Sequence, residues 1–195
     1  VEASDGIAYG LLAMTGTIED GHDYEDVYFY DNEGYLRGMY VTDYRADNVL
    51  QLEDGFLFTY DTTTIVYASY TGETLAYYDL SGYIMHHDLC LDGKGHILTL
   101  VTKRGSSTRE VWLISIDQET GEIVTALDFK EIFGSQGSFY DLNGGDWLHA
   151  NAVNYVDQKD GNIIISSRET SIIFSITGFD TGEYELEYVI NEGSN

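Results

Sequence analysis

Proline is absent from this 195-residue chain and cysteine occurs once. Ordinary usage of about 5% would give several prolines, and nothing in the sequence explains their absence. The lone Cys90 excludes a disulfide framework within the chain. It lies in an apolar run and reads as a buried free thiol, because free Cys is among the most buried residue types. Basic residues are scarce, with 9 Lys and Arg against 34 Asp and Glu and a formal net charge of -25. Such a surface repels nucleic acid and anionic membranes, so neither is expected as a partner. No apolar run is long enough to span a bilayer. No basic segment followed by an apolar stretch opens at Val1, so the chain reads as already trimmed of a signal sequence. A sustained helical period of 3.6 is missing too, and Lys130–Phe133 alone reads as a helical turn.

What the chain has is aromatics, with 17 Tyr and 8 Phe, set in short β-branched runs. Asp, Gly, Asn and Thr separate the runs. The runs group in fours. One group is Asn48–Glu53, Phe56–Asp61, Thr64–Ser69 and Thr74–Asp79. The next is His87–Leu91, His96–Lys103, Glu110–Asp117 and Glu122–Asp128. The third is Ala150–Val156, Asn162–Arg168, Ser171–Thr177 and Tyr184–Ile190. In each group the last two runs join through Thr-Gly-Glu, at Thr71, Thr120 and Thr181. Gly there supplies the positive φ that a hairpin turn needs. An incomplete copy precedes them, with Ala8–Thr15, Val27–Tyr30 and Tyr35–Thr42 around Asp31-Asn32-Glu33-Gly34.

Antiparallel four-stranded units in series predict an all-β fold of β-propeller blades. The expected segments are a partial blade over 1–46 and blades over 47–82, 83–133 and 146–191. A β-sandwich would explain the alternation but not the grouping in fours. Three blades and part of a fourth read as a piece of a larger propeller. Its open blade edges would invite self-association.

Two of the units carry histidine at corresponding strand ends. One reads His86-His87-Asp88 and then Gly95-His96-Ile97-Leu98. The other reads Asp146-Trp147-Leu148-His149-Ala150-Asn151 and then Ser166-Ser167-Arg168. Antiparallel pairing returns Arg168 toward His149. First strands of successive blades converge on the axis, which brings His87 and His149 to one site. His86 and His87 alternate across their strand, so one is expected at the channel and the other in the sheet; His87 is preferred for the channel. His and Arg together suit an anionic, oxygen-rich group.

These motifs resemble the bacterial arylsulfate sulfotransferase family, over about Tyr83–Thr102 and Gly145–Ile176. The resemblance implies a six-bladed propeller with its site at the centre. It implies sulfuryl transfer from a phenolic sulfate ester to a phenol acceptor through a sulfohistidine, with neither nucleotide donor nor metal or other cofactor. His87, His149 and Arg168 match the residues that contact the sulfuryl group. His86, Asn151 and Trp147 are carried over as substrate-binding positions. Ala152 stands where the family usually has Ser. The family's nucleophilic His belongs to a later blade, and no candidate follows Arg168 here. Extracellular or periplasmic residence is implied as well.

Other readings attach to the same residues. Arg168 could pair at the surface with Glu169 or Glu183. Trp147 and Tyr140 could stack on an aryl group or wedge between blades. His96 and His22 read as structural. A zinc site finds no compact ligand spacing, and Asp157–Gly161 lacks the ligand alternation of a calcium loop. A non-catalytic propeller that binds an anionic or aromatic ligand or a protein partner is the alternative function. An adhesin-like repeat module would leave the histidines scattered.

Overall fold

The computed structural model describes residues 10–16, 26–42, 46, 48–135, 142 and 145–191. The chain divides into two compact units, Val1–Leu80 and Ser81–Asn195. The first carries β1 (Leu12–Thr15), β2 (Val27–Tyr30) and β3 (Leu36–Tyr40) in one antiparallel sheet. It also carries β4 (Val49–Gln51), β5 (Gly55–Asp61), β6 (Thr64–Ser69) and β7 (Thr74–Asp79), an antiparallel sheet in chain order. Asp31 makes the β2–β3 turn by accepting the N–H groups of Glu33 and Tyr35, each at 2.9 Å. Gly34 completes it with φ 84°. The β2 side chains alternate, and Val27 and Phe29 are buried against Phe56 and Phe58.

The second unit holds two four-stranded sheets. Strands β8 (Tyr83–Leu91), β9 (His96–Lys103), β10 (Trp112–Asp117) and β11 (Ile123–Asp128) form one. Strands β12 (Ala150–Val156), β13 (Asn162–Ser167), β14 (Ile172–Thr177) and β15 (Glu185–Asn191) form the other. Each is antiparallel and runs in chain order, so each strand pairs with its sequence neighbour. All three four-strand groups read in the sequence are therefore sheets. The incomplete copy is a three-stranded sheet among the described residues.

A short helix, α1 (Phe129–Ser135), follows β11. It exceeds the single turn expected, for two reasons. The Asp128 carboxylate accepts the Lys130 N–H at 2.9 Å, which caps the first turn. Phe129, Ile132 and Phe133 then share one face and are buried. That face joins Leu98, Leu100 and Leu113 to Ile163, Ile165 and Phe174 in one core. Phe174 is fully buried and meets Phe129 and Phe133 edge-on, with ring centroids 5.4 and 5.0 Å away. Burying such a ring contributes about 1.5–3 kcal/mol, and aromatic pairing adds to it.

Polar ties join the two sheets at one end. Lys94, in the β8–β9 turn, reaches Asp157 at 2.8 Å and Asp180 at 2.7 Å. The Asp88 carboxylate accepts the Val153 N–H at 2.9 Å, linking β8 to β12. Cys90 is half-buried rather than fully buried, and it packs against the core. Its thiol is pushed up to about 12, first by burial and then by the charge of Asp88.

Candidate functional site

The site grows from two interruptions of regular strand. In β8, Met85 pairs with Val101 and Leu89 pairs with Thr99, so His86, His87 and Asp88 together face one residue of β9. His87 sits there with φ 58°. In β12, Ala150 pairs with Ser167 and Ala152 with Ser166, leaving Asn151 as the extra residue of a bulge. His149 precedes β12 with φ 50°, and Glu110 precedes β10 with φ 53°. A left-handed backbone costs an L-residue about 1–2 kcal/mol. Here three such residues touch one another, as expected where strain is held for function.

The sequence placed His87 at a strand start and His86 and His87 on opposite faces. The structure corrects both points. Strand β8 begins at Tyr83, and the bulge breaks the alternation. Both rings therefore turn to one carboxylate. His86 Nδ1 lies 3.4 Å from Glu110 Oε1, and His87 Nε2 lies 3.2 Å from Glu110 Oε2. The Glu110 backbone is anchored on two sides. Its N–H donates to Thr102 Oγ1 at 2.8 Å, and its carbonyl accepts the Ala150 N–H at 3.1 Å.

His149 completes the cluster. Its side chain is 9% exposed. Its Nε2 is 3.0 Å from His87 Nε2. Its Nδ1 is 2.8 Å from Asp146 Oδ2 and 2.9 Å from Glu110 Oε2. Two carboxylates at Nδ1 assign the proton there. When neutral, the ring offers Nε2 as an acceptor, and a His87 Nε2–H is shared between it and Glu110 Oε2.

Burial works to raise the Glu110 carboxyl. The hydrogen bond from His87 and the charges of His86, His149 and His87 outweigh it and hold the group below the ordinary glutamate value. The Asp88 carboxyl is pushed up by burial, against the N–H groups of Val153 and Leu89.

Arg168 comes back to His149 as the hairpin reading required, its N–H donating to the His149 carbonyl at 3.1 Å. Its guanidinium is exposed and pairs with Glu169 Oε1 through Nε at 2.9 Å and a terminal nitrogen at 2.6 Å. That nitrogen is 3.9 Å from Asp146 Oδ2, so Asp146 stands between Arg168 and His149. Asn151 is exposed and accepts the Ser166 hydroxyl at 2.7 Å.

Trp147 was expected either to stack on an aryl group or to wedge between blades. It is 8% exposed and lies in the core, edge-on to Phe133 at 5.5 Å. It packs in the buried cluster that also holds Phe133, Leu148 and Phe174. His96 has the structural place expected of it, with Nδ1 2.6 Å from Asp92 Oδ2. His22 and Tyr140 lie outside the described residues.

Two site residues escaped the sequence reading. Asp146 was in the motif, three residues before His149, but drew no role. Glu110 is one acid among many, in a segment before β10 that has no histidine. Among the described residues, His87, Glu110 and His149 bring one ligand atom each within 4.8 Å of one another.

Three solved structures are similar to the chain. A protein of unknown function from Bacteroides caccae is 12% identical, with a TM-score of 0.57 over 93% of this chain and 57% of that one. KlAtg21, in complex with the coiled-coil of AgAtg16, is 11% identical, with a TM-score of 0.61 over 95% of this chain and 54% of that one. The Neurospora crassa Pan2 WD40 domain is 10% identical, with a TM-score of 0.55 over 92% of this chain and 49% of that one. At such identities the likeness speaks for the fold alone, and it makes the sheets β-propeller blades. The chain spans about half the length of these structures. No curated protein matches it in sequence. The profile of the family described as Arylsulfotransferase (ASST) matches residues 2–194. With that match over nearly its whole length, the chain belongs to the arylsulfotransferase family.

Proposed function

We propose that this chain supplies part of the active site of an enzyme that moves a sulfuryl group from a phenolic sulfate ester to a phenol. The observation that carries the reading is the meeting of His87 and His149, with Nε2 atoms 3.0 Å apart, in a chain of this family. In the proposed reaction a histidine nitrogen attacks sulfur. The N–S bond forms as the S–O bond to the first phenol breaks. The departing phenolate takes a proton, and a second phenol reverses the steps. The sulfohistidine forms on a nucleophilic His in a blade outside this chain.

The residues here serve the developing negative charge. Donors aimed at such charge are the main source of acceleration in this kind of transfer. His87 offers an N–H from Nε2. His149, oriented by Asp146, can receive and return a proton at Nε2. Arg168 is a forked, permanent cation. It must exchange Glu169 for sulfate oxygens, and its exposure makes that exchange inexpensive. Extracellular or periplasmic residence belongs to the same reading.

A phenol-release assay with an aryl sulfate and an acceptor phenol tests it. The 195-residue chain is expected to give no sustained turnover. A longer protein with the remaining blades is expected to turn over and to lose activity in His149→Ala. Full activity in His149→Ala contradicts the assignment. Turnover by the short chain, lost in His149→Ala, puts the nucleophile inside this chain.

A further inference from the structure

We propose that His87, Glu110 and His149 form a binding site for a divalent transition-metal cation of the zinc class. Two imidazoles and one carboxylate are a common donor set for such an ion, and two nitrogens select it over calcium or magnesium. One donor atom from each residue lies within 4.8 Å of the others; His87 Nε2 is 3.0 Å from His149 Nε2 and 3.2 Å from Glu110 Oε2, and that oxygen, now 2.9 Å from His149 Nδ1, must turn toward Nε2 to share an ion. Tetrahedral zinc with bonds of about 2.0–2.2 Å sets its ligands roughly 3.4 Å apart. Shifts of a few tenths of an ångström therefore suffice at those two separations. No compact spacing announces the site in the sequence, because its ligands come from three separate segments.

Three further features point to a cation. The first is the contact of the two Nε2 atoms, which a proton bridges here and a cation could bridge in its place. The second is Asp146. Its Oδ2 holds His149 Nδ1 at 2.8 Å, the outer partner that metal-bound histidines usually have. Its Oδ1 is buried and has no hydrogen-bond partner, and Arg168 stands 3.9 Å from its Oδ2. The third is the local balance. Glu110, Asp146 and Glu169 surround the histidines, and Arg168 is the cation beside them. His87 remains partly exposed, so an ion has a way in and a fourth position open to water.

A ring nitrogen bound to a metal has no N–H for an anion. Metal and sulfate ester therefore exclude one another at His87 and His149. This competition rests on the proposed sulfuryl-transfer reading; the metal site itself does not.

The test uses the full chain, stripped with a chelator and titrated with Co²⁺ and then Zn²⁺. One equivalent of Co²⁺ is expected to give the visible absorption of a tetrahedral site, and Zn²⁺ is expected to displace it. Glu110→Gln and His87→Asn should each weaken binding by at least about tenfold. His96→Asn should leave it unchanged. Circular dichroism checks that the variants fold, and partly exposed His87 keeps the test open if Glu110→Gln does not fold. Equal affinity in Glu110→Gln and His87→Asn overturns the site, and so does equal loss in His96→Asn. For the competition, Zn²⁺ should weaken aryl sulfate binding. Undiminished sulfate affinity with metal bound overturns the competition and leaves the metal site standing.

Discussion

The Nε2 atoms of His87 and His149 lie 3.0 Å apart although 62 positions separate the residues in sequence. Each residue holds a left-handed backbone, with φ 58° and 50°. Glu110, with φ 53°, contacts both rings. The contact is a property of two adjacent sheets and their interruptions, and it fixes which nitrogen carries which proton.

That assignment can be read directly. Nitrogen-15 spectra of the imidazoles should show His149 as the Nδ1–H tautomer and His87 as the Nε2–H tautomer when neutral. Asp146→Asn should mix the His149 tautomers and leave His96 unchanged. A pure Nε2–H signal from His149 in the parent chain contradicts the network.

The turn glycines separate strain from contact. Gly178 and Gly182 have φ 75° and 76°. A Cβ at Gly178 would come 2.1 Å from the Glu183 carbonyl oxygen, whereas one at Gly182 would meet nothing within 4 Å. Gly182→Ala should cost about 1–2 kcal/mol from φ alone. Gly178→Ala should cost roughly 1–3 kcal/mol more from the clash. Urea denaturation of the two variants checks the order, and equal losses would show that the backbone at 178 relaxes freely.

How far the sequence reaches is clear from the same turns. The Thr-Gly-Glu repeats marked the last hairpin of each four-strand unit. Gly72, Gly121 and Gly182 adopt φ 86°, 74° and 76° there. Strand grouping was legible because local turn chemistry encodes it. The bulges at His86–Asp88 and Asn151 were not, because left-handed histidines carry no sequence mark of the kind glycine provides. Glu110 was invisible for another reason. Its role depends on which segments meet in space, and the segment that carries it, between β9 and β10, bears no histidine. Trp147 stayed open between ligand and core because a Trp next to a candidate histidine looks the same in either place.

Cys90 gives a pH test. With its thiol raised to about 12, only about one part in ten thousand is thiolate at pH 8. A thiol-specific disulfide reagent should react slowly with the folded chain at pH 8 and faster as pH rises toward 12. The unfolded thiol ionises near 8.5. The folded value is raised, so its contribution to stability is full below that pH and falls as pH climbs toward 12. Cys90→Ala should remove that part of the alkaline slope. Rapid modification at pH 8 contradicts the packing.

The core makes a plain demand. Phe174→Ala should cost about 3–5 kcal/mol, since the ring is fully buried between the Phe129 and Phe133 edges. Phe174→Leu should cost less. Chemical denaturation measures both, and a loss below about 1 kcal/mol for Phe174→Ala would mean that the site collapses around the gap.

If His87, His149 and Arg168 receive a sulfuryl group, an aryl sulfate must perturb all three side chains. Side-chain resonances of the histidines and of Arg168 are followed while a non-hydrolysed aryl sulfate is titrated into the metal-free chain. Saturable shifts at His87, His149 and the Arg168 guanidinium, with His96 unmoved, are expected from that assignment. Shifts at His96 equal to theirs, or no shift at His87 and His149 at saturating ester, would contradict it.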